Sequence, residues 1–150
     1  MALIDLIKSE VIKVPLEAKS KEGVLRELLQ LLQDAGQLRS FDTAYEALLE
    51  RESKGSTGLE EGIAIPHAKT DTVESLTLAM GIAPEGIDFQ ALDGKPSKLF
   101  FMLLAPPDQS GPHIEALSEI ARLTRSKTFC SILLRSGNPE EAVELFTAED

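Results

Sequence analysis

His67 and His113 are the only two histidines in the chain, and each stands where an imidazole can be presented to a pocket. His67 follows Gly62-Ile63-Ala64-Ile65-Pro66. Large and small residues alternate there at the period of a strand, and Pro66, which lacks an N–H, is expected to stop ladder pairing just before the histidine. An imidazole at such a point serves as nucleophile or donor, the free nitrogen being selected by what the other one bonds. His113 follows Pro112, a good first-turn residue that predicts a helix opening there. The unpaired N–H groups and positive dipole end of a helix start favour a neutral imidazole and can hold an anion such as phosphate. If the two rings meet, one can attack a phosphoryl group while the other donates a hydrogen bond to it. Arg51 would supply a third element: its guanidinium is always charged and bidentate towards phosphate oxygens, and the loop after its helix leads into the His67 strand. Taken singly, each residue has a plainer reading: a buried histidine closing a strand, helix-start packing for His113, a solvated helix-end arginine for Arg51.

Other chemistries have less support. Zinc needs three or four ligands, and two histidines with scattered carboxylates do not supply them at a recognisable spacing. No Gly-x-Ser-x-Gly and no glycine-rich phosphate loop occurs. Cys130, the single cysteine, lies among apolar residues of a helical pattern and reads as core. Ser56 and Thr57 read as turn residues.

The elements that must position these side chains follow from periodicity. Val11 to Pro15 reads as a first, weak strand. Ser20 caps a helix with Val24, Leu25, Leu28, Leu29, Leu31, Leu32 and Ala35 on one face and Gly36 as its stop. A second helix starts near Asp42, with Phe41, Ala44, Tyr45, Leu48 and Leu49 at the same spacing and Arg51 near its last turn. The turn-rich Gly55-Ser56-Thr57-Gly58 then leads to the His67 strand. Leu76, Leu78, Met80 and Ile82 alternate with small residues as a strand ended by a Pro84-Glu85-Gly86 turn, and a short strand follows near Ile87 to Phe89. Leu99 to Ala105 is apolar on both faces and belongs at the centre of a sheet. A helix from Pro112 has Leu117, Ile120, Ala121 and Thr124 on one face; Phe129 to Leu134 is helical and stops at Gly137. Asn138-Pro139-Glu140-Glu141 then combines an N-cap, an N1 proline and an N3 glutamate. The expected architecture is a single α/β domain over residues 1–150: a mixed β-sheet with helices packed on both faces.

Composition narrows the partners. With 150 residues, about one domain's length, 43% hydrophobic and 27% charged, the chain reads as an ordinary globular domain. A net charge of −10 repels a phosphate backbone, so nucleic acid and anionic membrane are disfavoured and a basic protein partner is favoured. One cysteine excludes an internal disulfide and suits a reducing cytoplasm. The N-terminus lacks an export pattern because Asp5 interrupts its apolar run. The longest apolar stretch falls far short of the roughly 18 residues of a membrane span.

The segment Gly58-Leu59-Glu60-Glu61-Gly62-Ile63-Ala64-Ile65-Pro66-His67, with Arg51-Glu52 and Ser56-Thr57 before it, resembles the phosphorylation-site segment of EIIA components of the bacterial phosphoenolpyruvate-dependent phosphotransferase system. The type is that of fructose and mannitol, which includes nitrogen-regulatory proteins. His113-Ile114-Glu115-Ala116-Leu117-Ser118-Glu119-Ile120-Ala121 is similar to that family's second-histidine helix. The resemblance implies a mixed α/β sandwich in which His67 takes a phosphoryl group from the carrier protein HPr and passes it to an EIIB partner. His113 and Arg51 would steady the group, with no metal or organic cofactor. It also leaves a second possibility, a regulatory module that binds target proteins according to the phosphorylation of His67. A third is a relative whose histidines are only structural. Neither the sugar, the acceptor, the phosphorylated nitrogen nor the oligomeric state follows from the sequence.

Overall fold

The run Leu99-Phe100-Phe101-Met102-Leu103-Leu104 carries apolar side chains at every position, so it is stable only where both of its faces are covered. In the computed structural model, which describes residues 3–148, it lies within the central strand of a five-stranded mixed sheet. The strands are β1 (Ile12–Lys13), β2 (Ile63–Ala64), β3 (His67–Lys69), β4 (Thr77–Ile87) and β5 (Ser97–Ala105), and the helices are α1 (Lys21–Asp34), α2 (Phe41–Ser53), α3 (Ser110–Thr124), α4 (Lys127–Leu134) and α5 (Pro139–Ala148). β5 pairs antiparallel with β4 on one side and parallel with β2 and β3 on the other; β1 joins β4 in parallel. Helices cover both faces, as the sequence predicts. Leu99, Phe101 and Leu103 share one core with Ala116, Ile120, Phe129, Leu133 and Phe146 of α3, α4 and α5. Phe100, Met102 and Leu104 face Val24, Leu25, Leu28, Ala44 and Leu48 of α1 and α2. The two-residue alternation of β5 thus becomes a partition between two layers.

The helix ends follow their local chemistry. Ser20 Oγ accepts from Gly23 N at 3.1 Å at the start of α1. Gly36, at φ +74°, closes the helix while Gln37 N reaches Leu32 O at 2.9 Å and Gly36 N reaches Gln33 O at 3.0 Å, a Schellman closure. Asn138 Oδ1 accepts from Glu141 N at 2.9 Å before α5, and Glu141 Oε2 returns to Gly137 N at 3.0 Å.

Four local expectations are corrected. The first strand is only Ile12–Lys13, because Ser9–Val11 is a 3-10 turn. Pro84-Glu85-Gly86 does not end a strand: β4 runs on to Ile87, which faces Ser97 across a shift in register, so these residues form an irregularity within one long strand. Pro66 does not end pairing before the histidine. Ile63 lies opposite Leu99 and His67 opposite Leu103, the same register on either side of the proline, and Leu103 N donates to Pro66 O at 2.9 Å. A proline removes one donor but keeps its carbonyl, so the ladder skips a bond and resumes; His67 opens β3. Finally, α3 begins at Ser110, two residues before Pro112, which still falls in the first turn, where a missing N–H costs no helical bond.

Candidate functional site

β3 is an edge strand, and its side chains are reached by α2 from one layer and α3 from the other. The register that carries Ile63 and Ile65 into the α3 layer places His67, two residues further, on the same face. There its ring meets His113 of α3 edge-on, with ring centres 5.5 Å apart and an interplanar angle of 70°. The two rings line an open cleft of about 460 Å³ together with Glu50 and Arg51 of α2, Lys54 just past its end, Lys69 of β3, and Ile114 and Leu117 of α3. The structure therefore brings all three sequence-predicted residues, His67, His113 and Arg51, to one place.

The backbone sets the chemistry of His67. Its Nδ1 lies 2.8 Å from Ile65 O. A carbonyl only accepts, so Nδ1 carries the proton and the lone pair stands on Nε2. The half-buried ring is thus locked in a tautomer whose free nitrogen is the nucleophilic one.

His113 is 4% exposed, and its Nε2 is buried with no hydrogen-bond partner. Burial pushes its pKa below the usual imidazole value; repulsion from His67, whenever that ring also carries a charge, and from the Lys69 ammonium pushes it the same way. The structure favours a neutral ring for another reason than the one read in the sequence. His113 N already donates to Gln109 O at 3.2 Å, so the residue lies just beyond the unpaired N–H groups of the helix start, and it is desolvation by burial that disfavours the charged form. A buried nitrogen without a partner costs about 1–3 kcal/mol, and an acceptor-only ligand such as a phosphoryl oxygen would satisfy it by fixing a proton on Nε2.

Arg51 is half-buried in the last turn of α2. Its Nη1 donates to Gly55 O at 2.9 Å, a bond that anchors one arm of the guanidinium to the following loop. Gly55 adopts φ +144°, a conformation suited to glycine. Ser56 has the turn role expected of it, its Oγ donating to Phe89 O at 2.8 Å and accepting from Gly58 N at 3.0 Å, whereas Thr57 bonds back to the Glu52 carboxylate of α2.

Sequence reasoning passed over two cations of the cleft. Lys69 Nζ donates to Ser110 Oγ at 2.8 Å, joining β3 to the start of α3; its place two residues after His67, on the same strand face, was the available signal. Lys54, three residues after Arg51, makes a loose 3.9 Å contact with Glu50. In a chain of net charge −10, the cleft gathers one arginine, two lysines and two imidazoles against a single carboxylate, Glu50, around the free nitrogen of His67, an arrangement suited to a small dianion. Among the described residues no group of three or more His, Cys, Asp or Glu could hold a metal ion, and no helix is long and apolar enough to cross a membrane. Cys130 is half-buried in α4, its thiol reaching Thr124 O at 3.4 Å. Burial, and secondarily the Glu61 carboxylate, push its pKa up, away from reactivity.

Residues 5–149 match the family model described as the phosphoenolpyruvate-dependent sugar phosphotransferase system, EIIA 2. The chain is 37% identical over 150 residues to the fructose-specific EIIABC component of Bacillus subtilis; the match takes in the whole chain but only 24% of that longer protein. It is also 35% identical over 145 residues to a nitrogen regulatory protein of Bradyrhizobium diazoefficiens, covering 95% of this chain and 92% of that one. Among solved structures, the nitrogen regulatory protein IIA-Ntr of Neisseria meningitidis superposes with a TM-score of 0.87 at 34% identity, covering 95% of this chain and 97% of the other. The IIA mannitol protein of Escherichia coli, solved in complex with phosphorylated IIB mannitol, shares the fold with a TM-score of 0.79 at 23% identity, over 94% of this chain and 96% of that one.

Proposed function

Because the chain belongs to the EIIA 2 family of the phosphoenolpyruvate-dependent sugar phosphotransferase system, we propose that it is a cytoplasmic phosphoryl carrier. It takes a phosphoryl group on His67 Nε2 from the phosphohistidine of an HPr-type protein and passes it to an EIIB partner. One observation carries this reading: the bond from His67 Nδ1 to Ile65 O leaves Nε2 free on a ring that meets the His113 ring edge-on, 5.5 Å between centres, and the Nε2 of His113 has no partner. In the acceptance step the Nε2 lone pair forms the new P–N bond as the donor's P–N bond breaks, and the donor nitrogen keeps the released electron pair. The Nδ1 proton stays in place, held by Ile65 O as the ring gains positive character. Nothing else need be made or broken, so the protein's contribution is alignment and charge. His113 Nε2–H and the free arm of Arg51 would bond the equatorial oxygens, and Lys69 adds positive charge at the rim.

An open cleft suits a reaction whose second reactant is another protein. Ile114 is 62% exposed beside it, an apolar contact point that a docking partner would cover. Similarity to nitrogen regulatory proteins over nearly the whole chain favours a second reading of the same site: the phosphoryl group on His67 is a signal that changes which target proteins bind, rather than cargo for a sugar transporter.

Intact-protein mass spectrometry after incubation with phosphoenolpyruvate, enzyme I and HPr tests the common premise. A single acid-labile phosphoryl adduct is expected on the parent and none on His67→Ala. An adduct of equal extent on His67→Ala would sink the proposal. Adding a fructose-type EIIB then separates the readings: discharge of the adduct marks a carrier, whereas an adduct that persists beside an active EIIB favours regulation.

A further inference from the structure

We infer that Glu52 is a positioning residue for this site, its carboxylate gripping Thr57 and so holding the loop that presents one acceptor to the Arg51 guanidinium and another to the tautomer-determining nitrogen of His67. The inference rests on the roles proposed above for those two residues and adds one that no cleft-lining side chain reveals. Glu52 follows Arg51 on α2, so its side chain leaves the helix about 100° further round and turns away from the cleft into the protein. Only 5% of it is exposed, and Lys21, the first residue of α1, meets Glu52 Oε1 at 2.7 Å with its own side chain 12% exposed. The same oxygen accepts from Thr57 N at 3.1 Å, and Oε2 accepts from Thr57 Oγ1. Lys21 Nζ in turn lies 4.9 Å from the centre of the Phe89 ring and donates to Gln90 Oε1 at 3.2 Å.

Two short threads run to the reacting groups from Thr57, the residue this carboxylate grips. The first is the loop itself: Gly55, two residues before Thr57, donates through its N to the main-chain O of Glu52 at 3.1 Å, and its O receives Arg51 Nη1. The second goes through Thr57, whose carbonyl accepts from Ile65 N at 3.0 Å; the carbonyl of the same Ile65 accepts from His67 Nδ1. A loop held this way presents two acceptors, Gly55 O and Ile65 O, at fixed places, one for each functional side chain. Capping a helix end or closing a turn needs only a neutral side chain. A nearly buried ion pair is an expensive way to do either, because both charges lose their hydration. What it adds is a bond network with a single low-energy arrangement, useful where a small displacement of a reacting group slows the reaction by orders of magnitude.

Glu52→Gln keeps the length and one acceptor oxygen while removing the charge opposite Lys21. With the variant still folded by circular dichroism, phosphoryl acceptance from phospho-HPr is expected to slow by about ten- to a hundred-fold. The loss should be smaller when Glu52→Gln is introduced into Arg51→Ala, since a missing arginine cannot be misplaced. Nitrogen-15 NMR of the imidazoles gives a readout that does not depend on transfer: the parent is expected to hold His67 in the Nδ1–H form, and Glu52→Gln to mix in the Nε2–H form. If Glu52→Gln unfolds, Thr57→Val, which removes only the hydroxyl bond, is read in the same two ways. A folded variant with the parental tautomer would overturn the inference, as would equal, independent losses in the Arg51→Ala background. A parent that accepts no phosphoryl group would refute the phosphoryl reading instead, while the tautomer measurement would still decide the role of Glu52.

Discussion

Replacing His113 by leucine should make the protein more stable and less active at once. The parent buries an imidazole at 4% exposure with Nε2 unpartnered. Leucine has a similar volume, forms helix more readily than histidine and carries no polar atom, so it removes a desolvation cost of about 1–3 kcal/mol. For a chain of this length each kcal/mol moves the thermal midpoint by about 2–4 °C, so a rise of several degrees is expected in a circular-dichroism melt. The same change removes the donor proposed for the phosphoryl oxygen. A hydrogen bond to a charged group is worth about 1.5–3 kcal/mol, which at about 1.4 kcal/mol per tenfold corresponds to acceptance slower by about 10- to 150-fold. Quenched time courses of adduct formation, read by mass spectrometry, give the rate. A His113→Leu protein that melts below the parent and accepts phosphoryl at the parental rate would refute both halves of the reasoning: the nitrogen would then be satisfied in the free protein and idle in the reaction.

The pH dependence of stability follows from the same residue. Its pKa in the fold lies below the ordinary value of 6.5, so the unfolded chain binds a proton first as pH falls. The contribution to stability is therefore complete above pH 6.5 and is lost progressively as pH drops from there through the lowered folded value. The stability advantage of His113→Leu over the parent should accordingly widen below pH 6.5 in urea titrations, and an advantage constant with pH would count against a neutral buried imidazole. Arg51→Ala should slow acceptance by about 10- to 150-fold through loss of one charge-assisted bond. Arg51→Lys should restore only part of the rate, because an ammonium lacks the planar fork that bonds Gly55 O and a phosphate oxygen together; full rescue by lysine would show that charge alone matters.

Much of the architecture was legible because its causes are local or periodic. Ser20 and Gly36 bound α1 through side-chain and left-handed backbone chemistry that operates within a few residues. The uninterrupted apolar run of β5 has no stable place except between two helical layers. His67, His113 and Arg51 were recognisable as one possible site from residue type and element boundaries, and from their resemblance to a phosphorylation-site segment. The hydrogen bonds that give them their properties were not. Resumption of pairing after Pro66 depends on β5 offering the same register on both sides of the proline, and the long course of β4 past Pro84 depends on Ser97 waiting opposite Ile87. The neutrality of His113 comes from the layer that buries it, not from the helix start the sequence suggested. The choice of Nε2 on His67 needs Ile65 O at 2.8 Å, and the link from Glu52 to Lys21 joins residues far apart in the chain. Periodicity and capping report what a segment does with its own neighbours. Burial and ion pairing are set by whichever distant groups the fold brings within bonding distance, and the two-residue reach from His67 Nδ1 to Ile65 O depends on the backbone course that pairing with β5 imposes, so only the tertiary structure decided them.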